Sequence, residues 1–148
     1  MPAVGNVSQV IGGTSGDDTI EAYGGNDIVC GYDGYDQIYG GSGSDYLYGG
    51  DSMGNDNDDN DLYGGTGNDF LFGGATHQPN WLFGQGGGDE MYDGSLMEGG
   101  SGNDTLDNQD FEGASSMKGG GNNDIMHGTD FVDSMNGGPG LDLSLIHI

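Results

Sequence analysis

"GGSGSDYLY" (residues 40–48), "GGTGNDFLF" (64–72) and "GGSGNDTLD" (99–107) are one nine-residue unit written three times. Each opens on two glycines, has a third glycine at position four and an aspartate at position six, and ends on three residues with a leucine in the middle. Glycine permits positive φ and close approach of one backbone to another, so the first six residues read as a turn. The last three, with one large apolar side chain at the centre, read as a short strand facing inward. A strand of three residues cannot hold alone and must stack on copies of itself.

The unit runs through the chain. Its apolar centre recurs at Ile20, Val29, Ile38, Leu47, Leu62, Leu71, Leu82, Met91, Met97, Leu106, Met117, Met126, Met135 and, weakly, Ser144. Two residues before each stand Asp18, Asp27, Asp36, Asp45, Asn60, Asp69, Asn80, Asp89, Ser95, Asp104, Ser115, Asp124, Asp133 and Asp142. Composition pulls the other way. Apolar residues make up 32% of 148, glycines number 35, and 25 acids against the single cation Lys118 give a net charge of −24. Such a chain has too little apolar surface to offset its conformational entropy and repels itself strongly, which is the signature of disorder. Nucleic acid and anionic membranes are poor partners for it. A cation is the natural one, because it would neutralise the carboxylates.

The remaining composition excludes more than it adds. Cys30 stands alone, so no internal disulfide framework exists, and it reads as a small half-exposed strand residue. The N-terminal "MPAVGNVSQVIGG" has neither a basic region nor an apolar core, so no cleavable signal is visible. No stretch approaches the ~18–20 apolar residues of a membrane span. H-E-x-x-H does not occur, G-x-S-x-G occurs once as "GDSMG" (50–54) in a glycine- and acid-rich turn with no helix pattern after it, and no catalysis is expected within these residues.

The repeat resembles the RTX (repeats-in-toxin) calcium-binding nonapeptides of the hemolysin-type calcium-binding region, G-G-x-G-x-D-x-U-x with U a large apolar residue. The resemblance implies an all-β, right-handed parallel β-roll of about seven coils, with two short strands per coil on two facing sheets. The expected divisions are a lead-in over 1–11, the roll over 12–142, and a tail over 143–148. That tail, "LSLIHI", drops the pattern and matches an in-frame translation of a transposase adapter used in sequencing libraries, so it is expected to be non-native. The rival is a genuine capping strand of alternating character.

Two strands per coil make the irregular spacings readable. The steps 20→29, 38→47, 62→71, 82→91, 97→106, 117→126 and 135→144 are all nine residues. The alternate steps are 9, 15, 11, 6, 11 and 9, and the lost aspartates (Asn60, Asn80, Ser95, Ser115) all fall in these. One edge of the roll is therefore regular from end to end and the other is not, which argues for two different jobs.

Calcium takes six to eight oxygens from carboxylates and carbonyls in a flexible shell. By resemblance, one turn gives carbonyls from its second and fourth positions, the neighbouring turn gives its first and third, and both give their aspartates. The ligands implied are Gly41, Gly43 and Asp45 facing Gly64, Thr66 and Asp69. Next come Gly65, Gly67, Asp89, Gly100, Gly102, Asp104, Gly120 and Asp124, with Asp27 and Asp142 closing the column. Seven stacked turns allow about six sandwiched ions. The irregular edge offers Asp18 with Asp36, and an isolated Asp133. The turns beginning "AYGG" and "GQGGG", and Asn122 in place of a glycine, depart from the pattern.

Other motifs read more plainly. "DNDDND" (56–61) fails as an EF-hand loop, because the sixth and twelfth positions from Asp56 are Asp61 and Gly67 rather than glycine and glutamate. It and His77 read as surface-loop residues, and His127 should point outward from the strand of Met126. Outside the sheets, Tyr39, Tyr63 and Phe83 should stack on one face, and Tyr48, Phe72 and Tyr92 with Tyr46 and Phe70 on the other. They form either a cross-strand ladder or a docking face for a neighbouring domain or protein; Glu98, Lys118, Asp107 and His127 end the run. The function expected is a calcium-binding module that folds on binding several Ca2+ ions, part of a bacterial protein secreted by a one-step (type I) route. The alternatives are the calcium-stabilised tail of a larger secreted hydrolase or epimerase, and a surface adhesin or ice-binding solenoid. Only scattered threonines (Thr19, Thr105, Thr129) support ice binding.

Overall fold

A computed structural model describes residues 6–50, 59–74, 79–109 and 111–145. The acidic run up to Asp58, His77 and the last three residues of the tail lie outside the described residues. Within them, alternate strands go to opposite sheets, all pairings are parallel, and each strand pairs with the strand two places along. One sheet holds β1 (Val10–Gly12), β3 (Ile28–Cys30), β5 (Tyr46–Tyr48), β7 (Phe70–Phe72), β9 (Glu90–Tyr92), β11 (Thr105–Asp107), β13 (Ile125–His127) and β15 (Leu143–Leu145). The other holds β2 (Thr19–Glu21), β4 (Gln37–Ser42), β6 (Asp61–Thr66), β8 (Trp81–Gly86), β10 (Leu96–Ser101), β12 (Ser116–Gly121) and β14 (Ser134–Asn136). This is the two-sheet parallel solenoid that the resemblance implies.

Register follows the apolar centres. Val29 lies beside Leu47, Leu47 beside Leu71 and Leu71 beside Met91 in one sheet, and Ile38, Leu62, Leu82 and Met97 line up in the other. From Val29 to Met126 these side chains are at most 1% exposed and form a single file of core residues between the sheets. Ile11, Ile20 and Met135, nearer the ends, are only partly buried. No helix among the described residues is long and apolar enough to cross a membrane.

Three features go beyond the sequence reading. β1 precedes the first strand of the repeat series and sets Ile11 beside Val29 within the stretch read as a lead-in. β15 sets Ser144 beside Met126 in the first part of the tail. The strands β4, β6, β8, β10 and β12 are six residues long rather than three, and all five run into the regular edge. Their turns are alike from coil to coil, so ladder pairing continues through them, with Gly41 beside Gly65 and Ser42 beside Thr66.

That close stacking depends on glycine at two positions of each turn. Gly65 (φ 112°) and Gly67 (φ 129°) are left-handed, and a Cβ on either would overlap the carbonyl oxygen of Gly41 or Gly43 in the preceding coil. The third position differs: a Cβ on Gly86 would meet nothing closer than the Ser101 hydroxyl at 3.4 Å. Gly87→Ala should therefore remove several kcal/mol of stability, while Gly86→Ala in the same turn should change it by less than about 1 kcal/mol. Thermal melts of the folded chain decide this, and equal losses would refute the close stacking.

Candidate metal centre

The regular edge is a stack of turns whose carbonyls point along the stack in both directions. Gly41 O and Gly43 O face the next coil, at the points where a Cβ on Gly65 or Gly67 would lie. Thr66 O faces back and accepts from Gly43 N at 2.8 Å, and Gly64 O faces back towards Gly40. Gly100 and Gly120 stand in the same relation to Gln85 O and Gly100 O, as Gly102 does to Gly87 O. The positions named from the sequence thus meet in the gaps between coils, two carbonyls from below and two from above.

The aspartates form a ladder through these gaps. Oδ1 of each accepts the backbone N–H of the aspartate one coil earlier: Asp45 from Asp27 (2.8 Å), Asp69 from Asp45 (2.8 Å), Asp89 from Asp69 and Asp104 from Asp89 (both 2.9 Å). Asp124 accepts from Asp104 at 2.9 Å and Asp142 from Asp124 at 3.1 Å. With one carboxylate oxygen fixed, the other is left over. Oδ2 of Asp27, Asp45, Asp69, Asp89, Asp104 and Asp124 is buried and has no hydrogen-bond partner. A Cβ on Gly40 would lie 2.6 Å from Asp45 Oδ2 and 2.7 Å from Gly64 O; one on Gly64 would lie 2.5 Å from Asp69 Oδ2 and 2.9 Å from Gly84 O. Carboxylate and carbonyl oxygens border one point with no donor between them.

Buried acceptors facing acceptors fit a hard cation, whose ligands are carboxylate and carbonyl oxygens. They do not fit zinc or copper, which take nitrogen and sulfur. Among the described residues no three His, Cys, Asp or Glu side chains converge on one point. Most of the oxygens at each gap are main-chain ones.

The imperfect turns keep the same geometry under strain. Tyr23, Gln85 and Asn122, where the pattern has glycine, take φ of 70°, 76° and 81°. Asparagine tolerates this region better than the other two. Sequence reasoning missed the first rung of the ladder, where Gln9 N donates to Asp27 Oδ1 at 2.7 Å. It also missed a second, exposed ladder one residue before the aspartates. There Asn26 Oδ1 accepts from Ser44 N, Ser44 Oγ from Asn68 N and Asn68 Oδ1 from Gly88 N. The recurrent Asn or Ser at position five was the available signal.

The irregular edge is built differently. Asp36 Oδ1 accepts from Asp18 N at 2.9 Å, but Asp18 Oδ2 accepts from both Thr14 N (2.6 Å) and Thr14 Oγ1 (2.9 Å). The ladder then continues through Asn60 and Asn80, whose Oδ1 atoms accept from Asp36 N (2.8 Å) and Asn60 N (2.9 Å). At the six-residue step, buried Asn108 takes over: Nδ2 donates to Gly94 O at 2.7 Å and Oδ1 accepts from Gly94 N at 3.1 Å. Asp133 accepts from Ser115 N and Oγ and from Thr129 N.

Burial shifts the column's acidity. Desolvation pushes Asp69 and Asp104 up to about 6 and Asp89 up to about 7, the neighbouring aspartates adding to the rise; Asp45 and Asp124 are raised for the same first cause. A carboxyl held above its unfolded value of about 4 favours the cation-free fold at low pH. That stabilisation is complete below about pH 4 and is lost as pH rises through 6 to 7. In chelator, the β-sheet signal in circular dichroism should therefore grow as pH falls from 7.5 to 4. A signal that stays flat or shrinks would contradict these shifts.

A family model for the RTX calcium-binding nonapeptide repeat matches residues 8–38, 31–52, 54–76, 96–107 and 113–143. No curated protein and no solved structure matched the chain. The family match spans most of the length, and its repeat is the turn-and-strand unit whose stacking makes the column. The chain belongs to the RTX calcium-binding nonapeptide repeat family, as a structural, non-catalytic β-roll module.

Proposed function

We propose that this chain binds several calcium ions in the gaps of its regular edge and folds because it binds them. The ligands are the carbonyls of Gly41, Gly43, Gly64, Gly65, Thr66, Gly67, Gly100, Gly102 and Gly120 and the carboxylates of Asp27, Asp45, Asp69, Asp89, Asp104, Asp124 and Asp142. The observation that carries this reading is the row of buried Oδ2 atoms without a hydrogen-bond partner along the regular edge, those of Asp45, Asp69, Asp89 and Asp104 each beside a carbonyl of the next coil. Asp18 and Asp36 would form a separate site on the other edge, Asp36 Oδ2 lying beside Gly49 O as Asp45 Oδ2 lies beside Gly64 O, although Thr14 already serves Asp18.

A chain of net charge −24 with one core side chain per strand has little to fold it without a counter-ion. When the binding site exists only in the folded state, binding free energy becomes folding free energy. The RTX family is generally found in secreted bacterial proteins. Export by a one-step (type I) route suits such a chain, which would stay unfolded at low intracellular calcium and fold in millimolar external calcium.

Circular dichroism during a calcium titration tests the reading. The chain should pass cooperatively from disordered to β-sheet at or below about 10 mM calcium, and magnesium, which holds its water and demands octahedral geometry, should not replace it. A chain that stays disordered at that concentration would sink the proposal. Asp69→Ala and Asp104→Ala should each raise the calcium needed or abolish the transition.

A further inference from the structure

On the regular edge each gap sets a carboxylate oxygen beside a carbonyl oxygen. At Asp36 the irregular edge still has that pair, since a Cβ on Gly31 would overlap both Asp36 Oδ2 and Gly49 O, but from Asn60 on the same place holds a different one. A Cβ on Gly49 would lie 2.6 Å from Gly73 O and 3.0 Å from Asn60 Nδ2, and one on Gly73 would overlap Asp93 O and lie 2.9 Å from Asn80 Nδ2. An amide nitrogen thus stands where Asp45 and Asp69 have Oδ2. Its identity is fixed by the hydrogen-bond network: Oδ1 of Asn60 and of Asn80 each accepts a backbone N–H, so the other atom of each amide is the donor. Asn80 Nδ2 donates to Asp93 O, the carbonyl one coil on.

The later rungs of this edge, and Asp18 before them, are also met from within the chain. Asn108 closes on both backbone groups of Gly94, the Ser115 hydroxyl and Thr129 serve Asp133, and Thr14 serves Asp18. Asn60, Asn80, Asn108, Ser115 and Thr129 are each at most 5% exposed, so water does not do this work for them.

We infer that the irregular edge from Asn60 to Asp133 is a cation-free seam, in which amides and hydroxyls of the chain take the role that a bound cation has on the regular edge. The choice of Asn or Asp at position six then sets how many ions the module binds and how much calcium it needs to fold. This rests on the calcium column proposed above.

The test uses the full chain at saturating calcium, with bound metal counted by equilibrium dialysis and the folding midpoint read by circular dichroism. The parent should bind about six ions, and Asn60→Ser/Asn80→Ser should bind the same number. Asn60→Asp/Asn80→Asp gives two more gaps an aspartate on both sides. It should bind about two additional ions and need at least about threefold more calcium to reach half folding. An unchanged count and midpoint in that variant would overturn the seam. So would a loss of one or more ions in Asn60→Ser/Asn80→Ser, which keeps the question decidable if the Asn-to-Asp variant does not fold. A parent that folds without calcium, or binds none, refutes the calcium column itself and is told apart by the parent measurement alone.

Discussion

Two oxygens facing each other across a coil-to-coil gap, with no proton between them, set the terms for the rest of this molecule. Asp45 Oδ2 and Gly64 O border one point, and the arrangement repeats up the regular edge. Left alone, such a pair is repulsive and desolvated, which is why burial drives the central carboxyls towards 6 and 7. The same constraint explains the glycines. A carbonyl can come this close to the next turn only where that turn has no Cβ, so positions two and four must be glycine or accept a strained left-handed φ. Gln85 and Tyr23 show the strained alternative in place.

Much of this was legible because a period of nine is a geometric statement. Position eight gave the whole buried file from Val29 to Met126, and the two-strand coil that the resemblance implies divided the strands between two sheets as found. Residues 77–95, which the family match does not cover, still build a rung, with Gly87 and Asp89 where the spacing puts them. What could not be read were partnerships across coils. Asn108 sits outside the nonapeptide pattern and earns its buried place only because a six-residue turn brings Gly94 next to it. Gln9 lacks the glycines that mark a turn, yet backbone stacking puts its N–H under Asp27. The aspartate ladder itself was invisible, since the sequence shows where a carboxylate is but not which of its oxygens is already engaged.

The outer faces follow the parallel register as strictly as the core. Tyr39, Tyr63 and Phe83 stack with centroids 4.7 and 5.0 Å apart and planes within 9° of parallel, so each inner ring face is covered by a neighbour. The same column then passes to Glu98 and Lys118, an exposed pair at 3.9 Å. On the opposite sheet, tilted contacts among Tyr48, Phe70, Phe72 and Tyr92 give way to Asp107 with His127 at 3.1 Å. In a parallel stack every residue meets its own counterpart, so like charges in one column would repel along its length. Aromatic runs and pairs of unlike polar side chains both avoid this, each contributing ~0.2–1 kcal/mol per cross-strand pair. The stacked geometry favours the ladder reading of these aromatics.

Coordination also accounts for why length variation and aspartate loss share an edge. A sandwiched cation needs oxygens from two successive turns at fixed separations, so both turns must have the same length and the same glycines. All seven steps across the regular edge are nine residues, as that demands. An asparagine rung asks for less: one N–H donor accepted by its Oδ1, and one carbonyl for its Nδ2. Asn80 finds both, although the steps on either side of its coil differ by several residues. Once a rung is held by its own amide, the turn before it is free to grow into the acidic insertion or to shrink to the six-residue step that Asn108 closes. On the calcium column and seam proposed above, variation in turn length is a consequence of giving up the cation.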